Sequence, residues 1–233
     1  MYGPRARIGY ACPPKVAEVF IYEFYKIAPP GVSLAISTVG GARATRDDLK
    51  ESFRLSVAAA EELAKTGVDM LMLGGEPLNG SMGQELKEFV ESLHERFGIP
   101  VSTSLWASTR AGRALGAKRM AIISPGQASE GSGETGDAEV VATKGAGYVV
   151  PQYHTIPGDI PLRLAREALV EHPDIDTVKF PCAHWATLDA IETLEKEANV
   201  NATSSGQAII WDALRQAGVR ESIPGAGRLL REF

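Results

Sequence analysis

The chain has 233 residues and a formal net charge of −5 at pH 7, from 24 Lys plus Arg and 29 Asp plus Glu. Its length is sufficient for one large domain or for two lobes of roughly 110 residues each. The mild acidity argues against nucleic acid as a partner, because phosphate binding needs clustered positive charge. No apolar run approaches the roughly 20 residues of a membrane span, and the apolar run at the N-terminus is too short for a signal peptide. We therefore expect a cytoplasmic protein with no membrane partner.

Short β-rich runs alternate with helical patterns along the whole chain. Strands are predicted at 7–11, 32–38, 69–73, 101–105, 120–124, 148–150, 177–181 and 201–204. Helices are predicted at 15–27, 45–66, 84–97, 110–115, 162–171, 188–199 and 207–216. The helix from Thr45 has a capping-box-like start with Asp48 and ends at Gly67.

This alternation predicts an α/β fold with parallel strands and helices on both faces of the sheets. Eight strands are also compatible with a (β/α)₈ barrel, although 233 residues lie near the lower limit of that fold. We favour two doubly wound lobes with mainly parallel four-stranded sheets and a cleft at the carboxyl ends of the strands. The first lobe covers 1–110, completed by the C-terminal helix 207–233, and the second covers 111–206.

The cysteines and histidines limit the kinds of site that the chain can build. Two cysteines, Cys12 and Cys182, cannot form a disulfide framework, so they indicate a reducing compartment in which a thiol is available for chemistry. The four histidines have no metal-ligand spacing and no accompanying carboxylate cluster. We therefore expect a site without a metal.

Cys182 is the sharpest catalytic candidate, because it follows a buried strand pattern and precedes the helix that begins near Thr187. The positive end of a helix stabilises a thiolate. The alternative is that the cysteine is a small buried hydrophobic residue. His184 either tunes the thiol and contacts an acid group of the substrate, or is a spectator in a loop.

A second candidate cluster follows the strand 69–73, where the chain reads Gly74, Gly75 and Glu76. Two glycines at a strand end allow backbone N–H groups to approach a ligand closely, although a tight turn needs them equally. Glu76 is suited to general acid or base chemistry if burial raises its pKa. Arg43, after the second strand, is suited to bidentate binding of a carboxylate.

Two loops leave further alternatives open. Ser205 and Gly206 open a helix after the last strand, either as an anion site or through ordinary N-capping by Ser205. The segment 125–137 is polar and rich in glycine, and it follows a strand. It is either a flexible surface loop or an active-site lid.

The second half of the chain resembles a known family. The run that resembles it most is FPCAHWATLDAIETLEKEANVNATSSGQAIIWDALRQAG, and further matches are IGYACPP, GVDMLMLGG and ALGAKRMAIISP. These runs are similar to arylmalonate decarboxylases and maleate cis–trans isomerases, which belong to the aspartate/glutamate racemase superfamily. Together the matches cover about residues 6–219.

The resemblance implies two pseudo-symmetric lobes, no cofactor and an active site between the lobes. It also implies an enediolate, held by hydrogen bonds, that forms next to a carboxylate and is then protonated. Cys182 matches the cysteine that delivers this proton in the decarboxylases. The substrate contacts that we expect on this basis are Gly74, Gly75, Pro14, Arg43, Ser124, Gly126, Ala183 and His184.

The chain departs from the patterns of these relatives at four positions. The first-lobe cysteine of the racemases aligns with Gly74, as in the decarboxylases, which favours protonation by one thiol over two-thiol racemisation or addition to an alkene. Gly75 and Glu76 replace hydroxyl residues, and an ionised Glu76 at 4 Å would repel a dianion by roughly 4 kcal/mol at an effective dielectric near 20. Gly126 replaces a tyrosine, so the anion hole has to come from backbone N–H groups, Arg43 or other residues.

Three functional hypotheses follow for a small carboxylate ligand. The first is a cofactor-independent decarboxylase that acts on a malonate-like acid through an enediolate protonated by Cys182. The second is a cis–trans isomerase or racemase that uses Cys182 with Glu76. The third is a non-catalytic carboxylate-binding relative. All three hypotheses leave open whether the chain forms a homo-oligomer.

Overall fold

The computed structural model describes residues 5–14, 16–40, 46–128 and 135–233, with the backbone alone at 46–50. Arg43, Thr45 and residues 129–134 of the segment 125–137 lie outside these ranges. The alternatives of surface loop and lid for that segment therefore stay predictions.

Within the described ranges the chain forms eight strands and nine α-helices. The strands are β1 Ala6–Cys12, β2 Val32–Thr38, β3 Met70–Leu73, β4 Val101–Thr103, β5 Arg119–Ser124, β6 Glu139–Gly145, β7 Thr177–Phe180 and β8 Asn201–Ser204. The helices are α1 Glu18–Ile27, α2 Arg46–Lys65, α3 Glu76–Met82, α4 Gln84–Phe97, α5 Ser104–Ala114, α6 Ile160–Glu171, α7 Leu188–Ala198, α8 Ser205–Gln216 and α9 Arg228–Glu232. A 3₁₀ helix covers Val150–Thr155.

The eight strands form two four-stranded sheets in which every pair is parallel. The strand orders are β2-β1-β3-β4 and β6-β5-β7-β8. The two sheets therefore have the same topology, with the second strand of each half at one edge and the fourth at the other. The prediction of two α/β lobes with parallel four-stranded sheets is confirmed. The barrel alternative is excluded for the described strands, because each sheet is open.

The central strands are apolar because helices cover both of their faces. All four residues of β3 (Met-Leu-Met-Leu) are at most 3% exposed. The first sheet shares a core with α2 and α4, in which Leu71 and Leu73 contact residues such as Ala60 and Leu93. In the second sheet, β7 is buried throughout.

The predicted strand 148–150 is wrong, and β6 lies at Glu139–Gly145 instead. β6 is an edge strand that pairs with β5, and none of its residues is fully buried, so it lacks the buried apolar run of a central strand. Val149 and Val150 are largely exposed, and Pro151 lies in the first turn of the 3₁₀ helix that forms there. The apolar residues at 148–150 thus suggested a strand that is not present.

Other differences concern helix starts and short helices. α5 begins at Ser104, directly after β4, rather than at residue 110. α3 and α9 were not predicted, since each is seven residues or shorter. α3 follows Gly75, whose φ of 85° lies in the left-handed region that favours glycine.

The chain divides into two compact units. Unit 1 contains Met1–Ala17, Ala28–Ala107 and Asp212–Arg220, and unit 2 contains Glu18–Ile27, Ser108–Trp211 and Glu221–Phe233. The predicted boundaries differ, because they put α1 in the first lobe together with the whole C-terminal segment. α1 groups with unit 2 since its side chains bond to the start of α7. Among the described residues no helix has the length and apolar character of a membrane span.

Candidate active site

Cys182 lies in the loop between β7 and α7, within unit 2. Its φ of 113° falls in a region that residues with a side chain rarely adopt. The backbone N–H of Cys182 donates to Oγ of Ser205, the first residue of α8, at 3.2 Å. A strained backbone held by a specific hydrogen bond is a feature that clusters at functional sites.

The sulfur atom of Cys182 also has a defined partner. The backbone N–H of His184 donates to Sγ at 3.4 Å, and the side chain of Cys182 is half-buried. An N–H donor directed at sulfur stabilises negative charge on it. Cys12 differs, because it is completely buried and its thiol contacts the carbonyl oxygen of Pro14 at 3.7 Å. Cys182 is therefore the thiol that is placed for chemistry.

The loop that carries Cys182 is anchored by an aromatic pair. Trp185 is 1% exposed and packs edge-to-face against Phe180 of β7, with ring centroids 5.8 Å apart. Ala183 and His184 lie in the turn between Cys182 and this tryptophan. This packing fixes the middle of the loop against β7.

Glu23 of α1 fixes the end of the same loop, and the sequence analysis missed it. This carboxylate is 2% exposed, and its Oε1 accepts the N–H groups of Thr187 at 2.6 Å and Leu188 at 3.0 Å. The N–H groups at the start of α7, which we expected to favour a Cys182 thiolate, are thus bonded to Glu23. The available signal was a glutamate within the buried stripe of α1, at helical spacing from Phe20, Phe24 and Ile27.

Burial changes the titration of Glu23. Desolvation raises its pKa to about 7, although the hydrogen bonds from Leu188 and Thr187 and the charge of Lys26 act in the opposite direction. The charge of Asp189 adds to the increase. Unit 2 therefore holds a buried carboxyl group that titrates near neutral pH beside the Cys182 loop.

The N-cap of α8 is not Ser205, although N-capping was one of the two roles expected for that residue. Oγ of Ser204 accepts the N–H of Gln207 at 3.1 Å, so Ser204 is the residue that caps α8. Ser205 is left to accept the N–H of Cys182. Gly206 follows, and a Cβ atom there would lie 3.6 Å from Cα of Ala183.

Ser124 and Gly126 follow β5, which is the neighbour of β7 in the second sheet. Oγ of Ser124 accepts the N–H of Gly126 at 3.1 Å, and the carbonyl of Gly126 accepts the N–H of Gly147 at 2.9 Å. Gly145 has no room for a side chain, because a Cβ atom would lie 2.6 Å from the carbonyl oxygen of Gly126. The N–H of Gly126 is thus engaged within its own loop.

In unit 1, Gly74 and Gly75 form a tightly packed turn after β3. The N–H of Gly74 donates to the carbonyl of Ala11 at 2.9 Å. A Cβ atom at position 74 would lie 2.7 Å from Oη of Tyr10 and 2.9 Å from the carbonyl oxygen of Ala11. A Cβ atom at position 75 would lie 2.9 Å from Cγ of Pro13. A cysteine at position 74, like the first-lobe cysteine of the racemases, would therefore require these neighbours to shift.

Glu76 is the first residue of α3 and is 9% exposed. Asn79 fixes this short helix, because its Nδ2 donates to the carbonyl of Leu73 and to Oγ of Ser104, both at 3.1 Å. The backbone N–H of Asn79 donates to the carbonyl of Gly75 at 2.8 Å. This network fixes α3 and with it the position of Glu76 at the start of the helix.

The predicted site residues fall into groups that we describe within each unit. Cys182, Ala183 and His184 share one loop of unit 2, and Ser124 and Gly126 follow the adjacent strand. Unit 1 brings together Gly74, Gly75 and Glu76, and Pro14 follows β1 there. Arg43 lies outside the described residues. The described parts of the chain contain no group of three or more His, Cys, Asp or Glu residues that could hold a metal ion.

Comparison with known proteins places this arrangement in a family. A sequence model of the family "Arylmalonate decarboxylase" matches residues 11–230. The arylmalonate decarboxylase of Bordetella bronchiseptica is 27% identical over 216 residues, which cover 87% of this chain and 88% of that protein.

Solved structures agree with this assignment. A crystal structure of arylmalonate decarboxylase is 26% identical, with a TM-score of 0.78, covering 97% of this chain and 100% of that one. Nocardia farcinica maleate cis–trans isomerase shares the fold, with 19% identity, a TM-score of 0.83 and coverage of 97% and 98%. The resemblance noted in the sequence is confirmed. The chain belongs to the arylmalonate decarboxylase family of enzymes, and it shares its fold with maleate cis–trans isomerase.

Proposed function

We propose that the protein decarboxylates a small malonate-like acid and that Cys182 protonates the resulting enediolate. The observation that carries this proposal is the pair of hydrogen bonds at Cys182. Its backbone N–H donates to Oγ of Ser205, and its sulfur accepts the N–H of His184. The family and its decarboxylase relatives support the reaction class. They also favour an enzyme over a non-catalytic carboxylate-binding relative.

The proposed reaction has two steps. The bond between the α-carbon and one carboxylate breaks, carbon dioxide leaves, and the electron pair of that bond stays on the remaining fragment as an enediolate. The S–H proton of Cys182 then moves to the α-carbon, which leaves a thiolate. The N–H of His184 stabilises this thiolate until a proton from water restores the thiol.

Chemistry with one thiol also fits the packing of Gly74. A two-thiol racemase needs a second cysteine, and the atoms of Tyr10 and Ala11 crowd the place where its Cβ atom would be. The proposed decarboxylation needs no second thiol. Gly74, Gly75 and Ala183, together with Pro14, Ser124, Gly126, His184 and Arg43, remain the proposed substrate contacts.

The second candidate is a cis–trans isomerase or racemase in which Glu76 works with Cys182. The observation that favours it is the position of Glu76, a largely buried carboxylate that the Asn79 network holds at the start of α3. Such a group can remove a proton next to a carboxylate if the substrate tolerates its charge.

The two candidate reactions differ in whether carbon dioxide is released and in whether unreacted substrate exchanges hydrogen with the solvent. We would incubate the protein with phenylmalonate, methylmalonate and maleate in D₂O and follow ¹³C-labelled carbon dioxide and deuterium by NMR. Decarboxylation predicts carbon dioxide release and one deuterium at the α-carbon of the product. Deuterium in unreacted substrate, or fumarate from maleate, without carbon dioxide would establish the second candidate instead.

The matched variants are Cys182→Ala and Cys12→Ala. The first should lose turnover by at least about a thousandfold, since the proton donor is gone. The second should retain it, because Cys12 is buried in β1 and contacts Pro14. Full turnover in the Cys182→Ala variant would contradict the proposed function.

A further inference from the structure

Glu23 is a buried carboxylate that the proposed reaction does not use. It lies in an apolar stripe of α1, and it is 2% exposed. An unpaired buried charge is strongly unfavourable, so such a group needs specific partners. Oε1 of Glu23 has two, the backbone N–H groups of Thr187 and Leu188 at the start of α7.

The second oxygen of Glu23 points towards the other segment that holds Cys182. A Cβ atom on Gly206 would lie 3.5 Å from Oε2 of Glu23 and 3.6 Å from Cα of Ala183. Glu23, Gly206 and Ala183 therefore meet at one place. Ala183 follows Cys182, and Gly206 follows Ser205, which accepts the N–H of Cys182.

We propose that Glu23 is a positioning residue for Cys182 and that its protonated form, which buries no charge, holds the 183–187 segment more firmly than its ionised form. The inference rests on the proposed function, in which Cys182 is the reactive thiol. Glu23 acts through Thr187 and Leu188 on one side and beside Gly206 on the other.

The charges around Glu23 allow this group to change state near neutral pH. Burial raises its pKa to about 7 against the effect of its hydrogen bonds. The charged groups that act on it are Lys26 on α1 and Asp189 on α7, which form an ion pair of 3.0 Å with each other. The facing positions in α8 and in the loop are Gly206 and Ala183, which carry no charge.

The expected effect follows from the cost of burying a charge. Opening of the 183–187 segment hydrates the Glu23 carboxyl group, whose pKa then returns from about 7 towards 4.5, so the open segment releases a proton that the closed segment keeps. Below pH 7 the N–H groups of Thr187 and Leu188 should be held firmly. Above pH 7 they should open more often, and the Cys182 loop should loosen with them.

Two readouts test this without any substrate. One is the amide exchange of Thr187 and Leu188 between pH 6 and pH 8, corrected for the intrinsic exchange rate. The other is the alkylation rate of Cys182 by iodoacetamide over the same range. The protection of both amides should fall roughly tenfold from pH 6 to pH 8, and the alkylation profile should contain an inflection near pH 7.

The Glu23→Gln variant keeps the shape and an oxygen acceptor but has no ionisation. It should lose both the fall in protection and the inflection. The control is Glu18→Gln on the same helix, since Glu18 is exposed and it should keep both. An inflection that persists in Glu23→Gln, or one that disappears in His184→Gln, would assign the titration to another group and overturn the proposal.

A second variant tests the site without removing the carboxyl group. Gly206→Ala places a methyl group in van der Waals contact with Oε2 of Glu23, at 3.5 Å. The added desolvation should move the inflection to higher pH while leaving it present. An unmoved inflection would show that Glu23 is not its source.

The outcomes separate this inference from the proposed function. If Glu23→Gln loses the inflection but no malonate is decarboxylated, Glu23 positions the thiol of an enzyme with another reaction. If malonates are decarboxylated with the same pH profile in wild type and in Glu23→Gln, the proposed function stands and the role of Glu23 is refuted.

Discussion

The backbone N–H of Cys182 donates to Oγ of Ser205, the first residue after β8. Unit 1 has the corresponding contact, since Nδ2 of Asn79 donates to Oγ of Ser104, the first residue after β4. In each sheet the serine that follows the fourth strand thus holds the segment that follows the third. The two halves of the chain share this hydrogen-bond pattern, although the segment that is held contains Cys182 in one half and Glu76 in the other.

Replacing Ser205 should weaken the hold on Cys182. In Ser205→Ala the N–H of Cys182 loses its acceptor, so the strained backbone relaxes and the sulfur moves away from the N–H of His184. We expect a loss of about 1 kcal/mol in the free energy of unfolding and roughly tenfold slower alkylation of Cys182. The control Ser104→Ala should lose similar stability with an unchanged alkylation rate, and equal rates in the two variants would refute the idea.

The two cysteines should differ in reactivity. Cys12 is completely buried and Cys182 is half-buried, so a chromogenic disulfide reagent should label one thiol per native chain and two after denaturation. Cys182→Ala should abolish labelling of the native protein, and Cys12→Ala should leave it unchanged. Rapid labelling of the native Cys182→Ala variant would contradict this assignment.

Adding a side chain at position 74 should destabilise unit 1. In Gly74→Ala the new Cβ atom would lie 2.7 Å from Oη of Tyr10, 2.8 Å from Cδ of Pro13 and 2.9 Å from the carbonyl oxygen of Ala11. Overpacking of this kind costs about 1–3 kcal/mol, which urea denaturation can measure. Gly80→Ala is the control, because nothing lies within 4 Å of its Cβ position in α3. A stable Gly74→Ala variant would show that the turn adapts.

The stability of the protein should depend on pH through Glu23. Its pKa is raised from 4.5 to about 7 in the folded state, so the folded chain binds a proton there that the unfolded chain has lost. Stability from this group is complete below pH 4.5 and falls by roughly 3 kcal/mol as the pH rises to about 7. The Glu23→Gln variant lacks this decrease.

The measurement is the difference in unfolding free energy between Glu23→Gln and wild type, at several pH values from 4.5 to 8. The difference should move in favour of the variant up to about pH 7 and then level off, while contributions from other groups cancel. A difference that is constant over the whole range would mean that Glu23 titrates as an ordinary carboxyl group.

The fold could be predicted because buried parallel strands such as β3 appear in the sequence as apolar runs. β2 and β8 begin and end at the predicted residues as well, although β8 reads Asn-Ala-Thr-Ser. β6 was misplaced because none of its residues is buried and the apolar residues at 148–150 suggested a strand instead. Cys182 could be placed at a strand end, whereas its positive φ depends on hydrogen bonds to residues that come later in the chain.

Glu23 could not be assigned a role from sequence for a related reason. Its partner Thr187 is 164 positions away, so only the folded chain brings the carboxylate to the start of α7. Likewise, two successive glycines indicate a turn after β3, but the atoms that crowd Gly74 come from β1 and the residue after it. Local sequence patterns identify helices and strands. The roles of single residues such as Glu23 and Gly74 depend on contacts with residues that are distant in the sequence.

The crowding at Gly74 also restricts how this enzyme can change during evolution or engineering. A cysteine at position 74 would place its Cβ atom 2.9 Å from the carbonyl oxygen of Ala11 and 2.7 Å from Oη of Tyr10. A second thiol at this position therefore needs a compensating shift of the turn or of the β1 segment, and a smaller residue at position 10 would relieve one of the two contacts.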